Sequence, residues 1–123
     1  MDIDSNDAIT FYYRGRALYF LNRNDEALAS YNKSIELDPN DSRFYNNKGN
    51  VLDDLNRKEE ALSCYNKAIE INPEYANAHH NKGVVLESLN RKEEALSCYN
   101  KAIEIDPNHE LALNNRRNLL NKK

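Results

Sequence analysis

The sequence predicts an all-α protein built from successive helical hairpins, and three observations carry this prediction. Residues 59–71 return without change as residues 93–105, and a diverged copy lies at residues 25–37. Apolar residues within each copy fall at helical spacing rather than in alternation. Small residues and prolines recur every 34 residues, which indicates repeated structural units. They are Gly15, Gly49 and Gly83, followed by Pro39, Pro73 and Pro107.

These markers divide the chain into three units and a tail within a single domain of residues 1–123. The units span residues 8–41, 42–75 and 76–109, and residues 110–121 form a closing helix. Each unit is long enough for two helices joined by a tight turn. Because a helical pair of this size buries its apolar face against its neighbours, we expect the units to stack in a row.

The first helix of a unit ends at an asparagine. In unit two this helix is expected over about residues 42–55, with Tyr45 and Leu52 on its apolar side and Asn56 directly after it. Asparagine tolerates the left-handed conformation in which many helices end. The equivalent residues in the other units are Asn22 and Asn90.

The second helix of a unit carries one apolar stripe and stops before a proline. Pro73 restricts the backbone of Asn72 and cannot continue the helical hydrogen bonds. Gly49 and Ala61 are expected where the two helices of the hairpin approach most closely, because a larger side chain would push them apart. In unit two the stripe consists of Ala61, Leu62, Tyr65, Ala68 and Ile69.

The tail has the pattern of one more first helix. Arg117 stands where the three units have glycine, so a further hairpin partner could not approach closely there. The polar remainder of the tail is typical of a helix that caps a repeat array, and we expect the array to end here. The residues expected on the apolar side of the tail are Ala112, Leu113, Leu119 and Leu120.

Charge and composition argue against several classes of protein. The chain has 17 Lys and Arg against 20 Asp and Glu, for a net charge of −3, whereas nucleic-acid binders usually show a basic face. No stretch is long and apolar enough for a membrane span, and the first residues lack the pattern of a secretory signal. Cys64 and Cys98 lie at equivalent positions of successive units, too far apart for a disulfide. Free thiols and no export signal predict a cytoplasmic protein.

Small and aromatic markers at this period resemble the tetratricopeptide repeat. The resemblance covers residues 8–109 and implies a right-handed α-solenoid whose concave groove, lined by the first helices, holds a peptide or a partner helix. Asparagine in place of glycine at each hairpin turn departs from the family pattern. The matching residues are Phe11, Gly15, Leu18, Ala27, Tyr31 and Pro39 in unit one; Tyr45, Gly49, Leu52, Ala61, Tyr65, Ala68 and Pro73 in unit two; and His79, Gly83, Leu86, Ala95, Tyr99, Ala102 and Pro107 in unit three.

Differences between units two and three predict the binding surface. Residues 57–71 and 91–105 are identical, whereas the first helices differ at positions that share one face. We interpret this as a copied scaffold with a diversified groove; the alternative is that exposed positions drift freely. The predicted peptide-binding or partner-binding residues are Tyr12, Tyr13, Arg16, Tyr19, Asn46, Asn47, Asn50, Asp53, Asn77, His80, Asn81, Val84, Glu87 and Asn115.

Two features of this set have specific interpretations. Asn47, Asn81 and Asn115 form a row that resembles the asparagines with which family members hold a peptide backbone, since an amide both donates and accepts; the alternative is a solvated polar face. Four aromatics of the first helix, besides a core Phe11, could bind a ligand or mediate self-association. They are Tyr12, Tyr13, Tyr19 and Phe20.

The resemblance also indicates a ligand that this chain is not expected to bind. Family members that grip the C-terminal carboxylate of a chaperone use Lys, Asn, Asn, Lys and Arg at five positions. The equivalent residues here are Tyr12, Arg16, Asn47, Asn77 and Asn81. Only Asn47 matches, which argues against such a carboxylate clamp. Asp53 and Glu87 favour a ligand with a Lys or Arg instead.

No pattern in the sequence predicts catalysis, a cofactor or a metal site. His79 and His80 are adjacent, whereas a helical metal pair needs a spacing of three or four residues. No glycine-rich phosphate loop is present. The leading hypothesis is therefore a protein-interaction module that is not an enzyme and does not bind nucleic acid or membranes. The alternatives are a scaffold that oligomerises through its aromatic first repeat, and a designed or duplicated repeat without a partner.

Overall fold

The chain forms an all-α structure, which confirms the predicted fold class. The computed structural model describes residues 5–122, with side chains from residue 7 onwards. Those residues form seven helices joined by short turns, and α1 begins before the predicted start of unit one. The helices are α1 (Ser5–Phe20), α2 (Asn24–Leu37), α3 (Ser42–Asp54), α4 (Lys58–Ile71), α5 (Ala76–Ser88), α6 (Lys92–Ile105) and α7 (Glu110–Asn121).

The ends of the helices follow the local chemistry of the sequence. Asn56 has a φ of 60°, and the N–H of Arg57 donates to the carbonyl of Leu52 at 2.8 Å, which closes the end of α3. Asn22 and Asn90 have φ values of 61°, so the predicted left-handed asparagines are confirmed. Helix α4 stops at Asn72, whose φ of −135° is extended as expected for the residue before a proline.

Each hairpin is held by a glycine packed directly against a tyrosine ring. A Cβ atom built on Gly49 would lie 2.6 Å from Cε1 of Tyr65, and Gly15 and Gly83 meet Tyr31 and Tyr99 at the same distance. Carbon atoms that are not bonded prefer a separation near 3.5–4.0 Å. The three glycines are therefore required for the close approach of the paired helices, as the sequence predicts.

The hairpins α1–α2, α3–α4 and α5–α6 stack in chain order, and α7 closes the row. Each second helix packs on the first helix of the following hairpin. The first helices also contact one another directly, in the pairs α1–α3, α3–α5 and α5–α7, whereas the described second helices share no comparable contact. Helices on the inner side of a curved row lie closer together, so α1, α3, α5 and α7 form the concave side.

The burial of two aromatic residues in α1 differs from the sequence-based prediction. Phe11 was expected in the core, but it is only partly buried and carries the Arg14 guanidinium over its ring at 5.4 Å. Tyr12 occupies the core instead at 6% exposure, with its ring 5.3 Å from that of Phe44. The packing of α1 on both α2 and α3 turns Tyr12 inwards, between Tyr31 and Phe44.

Helix α7 leaves part of its predicted apolar side in solvent. Ala112 is fully buried and Leu119 is 7% exposed, but Leu120 is 61% exposed. The equivalent residues Leu52 and Leu86 are each 1% exposed because a second helix covers them. Nothing in the described chain takes that place beside α7, so Leu120, which was placed on the apolar side of the tail, remains in solvent.

We expect Gly49→Ala to lower the free energy of unfolding by about 1–2 kcal/mol. Overpacking costs roughly 1–3 kcal/mol, and replacing a helical glycine returns about 1 kcal/mol at most. The Tyr65 ring cannot move aside easily, because it is buried and its hydroxyl donates to Asn50 at 2.6 Å. Urea unfolding followed by circular dichroism measures the change.

The control is Asn66→Ala at an exposed position of α4. This variant should change the free energy of unfolding by no more than about 0.5 kcal/mol. A Gly49→Ala variant as stable as the control would show that the glycine–tyrosine contact does not limit helix approach.

Candidate functional site

The concave side places the fourteen predicted site residues in three different environments. Three are exposed and available to a partner, eight are half-buried, and three are buried. The exposed residues are Tyr13, Arg16 and Asn77; the half-buried ones are Tyr19, Asn47, Asn50, Asp53, Asn81, Val84, Glu87 and Asn115; the buried ones are Tyr12, Asn46 and His80.

The three buried residues hold one equivalent position in successive first helices. Tyr12, Asn46 and His80 are 6%, 4% and 6% exposed. Each side chain points between its own helix and the next first helix rather than into open solvent. Their prediction as groove-surface residues is therefore corrected, because the close packing of α1, α3, α5 and α7 covers this position.

The asparagine row connects neighbouring hairpins. The Asn47 side-chain amide donates to the Tyr12 hydroxyl at 3.4 Å, and that of Asn81 donates to Asn46 Oδ1 at 3.1 Å. The Asn115 amide donates to His80 Nε2 at 2.8 Å. Each bond joins residues 35 positions apart. The row is thus neither a free peptide-binding row nor a purely solvated face, since each amide is already bonded within the chain.

Bonds within α3 and α5 join these contacts into one chain of hydrogen bonds. Asn46 Nδ2 donates to Asn47 Oδ1 at 3.2 Å, and His80 Nδ1 lies 3.2 Å from Asn81 Oδ1. An amide nitrogen only donates, so His80 Nε2 must accept from Asn115 and the proton must sit on Nδ1. The hydrogen bonds therefore form one continuous chain from Asn115 to Tyr12. In order from α7 to α1, each residue donates to the next: Asn115, His80, Asn81, Asn46, Asn47 and Tyr12.

The N-terminal end of the concave side combines aromatic rings with cations. The guanidinium of Arg16 lies 5.8 Å from the ring centres of Tyr12 and Tyr13, and that of Arg43 lies 5.2 Å from the Tyr12 ring. Arg43 is paired with Asp41 at 2.7 Å, and this hydrogen bond lowers the pKa of the Asp41 carboxyl. Arg16 has no carboxylate within 4.0 Å among residues 7–122. Arg16 is exposed and therefore available to an acidic group of a ligand.

The carboxylates predicted to attract a basic ligand are already paired within the chain. Asp53 accepts from the Lys58 ammonium at 2.6 Å, and Glu87 accepts from Lys122 at 2.6 Å. Burial opposes the charged form of Glu87, but hydrogen bonds from Lys122 and Tyr99 outweigh it and lower its pKa. A basic ligand would therefore have to displace a lysine at either position.

A cleft of about 350 Å³ opens on the concave side between α5 and α7. Val84 provides an apolar wall, and the Tyr99 hydroxyl donates to Glu87 at 2.9 Å inside it. Burial, followed by this contact, raises the pKa of Tyr99 well above its usual range. The lining residues are Val84, Glu87, Ser88, Tyr99, Asn115 and Lys122.

Half of this lining was missing from the sequence-based prediction. Tyr99 was assigned only to the core, although its hydroxyl reaches the concave side, as that of Tyr65 does at Asn50. Ser88 and Lys122 are 34 positions apart and therefore equivalent in the repeat. Extending the period into the tail would have identified Lys122 as a concave residue.

Neither a cluster of metal ligands nor an exposed thiol is present among the described residues. Among residues 5–122, no group of three or more His, Cys, Asp or Glu side chains could hold a metal ion. Cys64 and Cys98 are free, as expected, and buried, and burial raises the pKa of both thiols. No helix in the described part of the chain is long and apolar enough to cross a membrane.

Sequence comparison identifies the family. The tetratricopeptide repeat model matches residues 42–75 and 76–109, and a second TPR repeat model matches residues 15–56. The first model alone covers more than half of the chain, so the chain belongs to the tetratricopeptide repeat family. Domains of this family are typically protein-interaction modules rather than enzymes. Among curated protein sequences, no match to the chain is found.

Solved structures of TPR domains share the same all-α helical-repeat fold. The first TPR of Spaghetti (RPAP3), bound to the HSP90 peptide SRMEEVD, is 27% identical with a TM-score of 0.92, covering 96% of this chain and 94% of its own. The first TPR domain of human RPAP3 is 26% identical with a TM-score of 0.92, covering 94% and 91%. YrrB, described as having an unusual peptide-binding site, is 32% identical with a TM-score of 0.84, covering 90% and 57%.

We expect Asn81→Ala to lower the free energy of unfolding by at least about 2 kcal/mol. The substitution removes the donor to Asn46 and the acceptor for His80, and it leaves two buried polar atoms without partners at roughly 1–3 kcal/mol each. Chemical denaturation measures the loss. Asn32→Ala, on the exposed face of α2, is the control and should have little effect. Equal effects of the two substitutions would contradict the structural role of the hydrogen-bond chain.

Proposed function

We propose that the concave side binds a peptide or a helix of a partner protein, with the cleft between α5 and α7 as its main contact. The observation that carries this proposal is the chemistry of the cleft. Val84 can contact an apolar side chain, Ser88 Oγ can accept a hydrogen bond, and the Asn115 amide has an oxygen and a second N–H beyond its bond to His80. Binding sites for peptides combine apolar contact with a few polar groups in this way.

The comparisons support binding of a peptide, and the sequence supports the concave side as its location. RPAP3, whose first TPR matches this chain over nearly its whole length, was solved with a peptide bound. Within this chain the outer helices α4 and α6 are identical over residues 58–71 and 92–105, whereas α3 and α5 differ on the concave side. A surface that varies between two copies of one scaffold fits recognition of an asymmetric ligand.

The ligand we propose differs from one held by a carboxylate clamp. Four of the five clamp positions lack the required residue, and the fifth, Asn47, donates to Tyr12. The accessible charges are Arg16 near the N-terminal end and Asp54, which is exposed beside Tyr19. This distribution of groups suits a ligand with three parts. They are an acidic side chain near α1, an apolar side chain at Val84 and a polar segment between them.

We expect Val84→Arg to weaken binding of a peptide selected from a displayed random library by more than about tenfold, because the longer charged side chain fills the cleft and removes its apolar wall. Fluorescence anisotropy gives the affinity, and amide chemical shifts of the bound chain should change in α5 and α7. The peptide SRMEEVD is included as a probe of carboxylate recognition and should bind weakly.

Ser63→Arg is the matched control, because Ser63 is exposed on the outer helix α4. It should leave the affinity unchanged. Equal loss of affinity in both variants, or chemical shift changes confined to the outer helices, would contradict a concave binding site. Tight binding of SRMEEVD would contradict the proposed ligand class while leaving the concave site in place.

A second candidate, self-association of the first hairpin, is favoured by one observation. Tyr13, Phe20 and Leu21 are 54%, 82% and 64% exposed at the N-terminal end of the row, where no described helix covers them. Exposed apolar residues in such a group often mark a contact surface. The buried thiols and this interaction role both fit a cytoplasmic adaptor or scaffold, which is the setting we propose.

This candidate predicts a molar mass that rises with concentration in light scattering. The variant Tyr13→Ser/Phe20→Ser should remain a monomer, because it removes exposed apolar area while leaving the core intact. Substitution of Tyr12 is unsuitable for this test, since Tyr12 packs on Phe44 in the core. A monomeric wild type across about a hundredfold range of concentration would rule out self-association through this surface.

A further inference from the structure

Two buried histidines flank the N-terminal end of α7. His80 lies in α5, and His109 directly precedes α7. Their rings are 5.1 Å apart between centres, and both side chains are less than a tenth exposed. The pair lies outside the cleft lining and has no part in the proposed ligand contact.

His109 holds α7 through an unprotonated nitrogen. Its Nδ1 accepts the backbone N–H of Ala112 at 3.1 Å, which caps the first turn of α7. Its Nε2 must then carry the proton, and it donates to Asn77 Oδ1 at 2.6 Å. A proton on Nδ1 would remove the acceptor on which this cap depends.

His80 holds the same helix through a second unprotonated nitrogen. Its Nε2 accepts from the Asn115 amide of α7 at 2.8 Å, while its Nδ1 donates to Asn81. A proton on Nε2 would face the nitrogen of Asn115, which is itself a donor. Both histidines therefore fix α7 only in their neutral form, each through a different bond.

No described carboxylate lies near the two rings to balance a positive charge. The ionisable groups facing His80 are His109 and Tyr99 of α6, whose ring centre is 5.9 Å away. No carboxylate among residues 7–122 lies within 4.0 Å of either imidazole. Two imidazolium ions at this separation would also repel each other.

From this geometry we propose that His80 and His109 form an acid-sensitive latch, which holds α7 against α5 when both rings are neutral and releases it when they are protonated. Release of α7 would also open the cleft, because Asn115 and Lys122 form one wall of it. That consequence rests on the proposed function, whereas the latch itself does not.

The direction of the pH dependence follows from proton linkage. Burial, together with repulsion from His109, lowers the pKa of His80 despite its hydrogen bond to Asn81. A group with a lowered pKa in the folded state binds fewer protons than it does when released. Its stabilising contribution is complete above the ordinary histidine pKa of about 6.5 and declines as the pH falls below that value.

Hydrogen exchange of the full chain, measured by mass spectrometry at about pH 7.5 and about pH 5, tests the latch. After correction for intrinsic exchange rates, the opening constant of residues 112–119 should rise at least about tenfold at the lower pH relative to that of α4. A histidine that cannot be protonated while docked would give a factor of up to about 30 at pH 5. Unchanged protection of α7 would overturn the proposal.

The equivalent residues of earlier repeat units suggest matched variants of the two histidines. Asn46 is the equivalent of His80 and already accepts from the asparagine of the next first helix. Asp41 is the equivalent of His109 and caps α3. His80→Asn/His109→Asn should therefore keep α7 docked and abolish the pH dependence, and His80→Asn alone should reduce it. The same acid-induced opening in the double variant would assign the effect to other groups and overturn the latch. Because exchange is measured without a ligand, failure of the peptide-binding proposal would leave this result unaffected.

Discussion

The contact between a glycine and a tyrosine ring sets the distance between the two helices of every hairpin. In each hairpin the space for a Cβ atom is already filled by Cε1 of the tyrosine at 2.6 Å. The close approach buries that ring almost completely and brings its hydroxyl through to the concave side, at Asn50 in one hairpin and at Glu87 in the next. The same residue thus fixes the hairpin and contributes to the surface that a partner would meet.

Polar contacts between hairpins extend this arrangement along the row. The chain of hydrogen bonds from Asn115 to Tyr12 crosses three helix–helix interfaces with side chains that would otherwise be unsatisfied in a buried position. Buried polar groups are costly without partners, so each hairpin specifies the register of the next. Two parts of the concave side remain for recognition: the aromatic and cationic N-terminal end, and the cleft between α5 and α7, whose lining shares Asn115 with these hydrogen bonds.

Local features were predictable from the sequence, and contacts across the repeat were not. The asparagine turns and the stops before proline depend only on backbone preferences of neighbouring residues, and the glycines depend on a partner within the same hairpin. Tyr12 was misplaced because two adjacent aromatics leave the helical phase of α1 ambiguous until α3 is packed against it. The bonding of Asn81 and the pairing of Glu87 with Lys122 involve residues 35 positions apart, which composition and spacing do not identify.

The identity of α4 and α6 has a consequence for how the chain reaches its structure. Because residues 58–71 and 92–105 are the same, α6 can pack on α3 with the glycine–tyrosine contact that α4 makes there. Asn50 would accept the Tyr99 hydroxyl as it accepts that of Tyr65. Only the closure of a longer loop and the loss of α5 from the row oppose this pairing, and loop closure costs little more as length increases. The native pairing of α3 with α4 therefore depends on the short connection between them and on the place of α5 in the row, and not on any difference between the residues of α4 and α6.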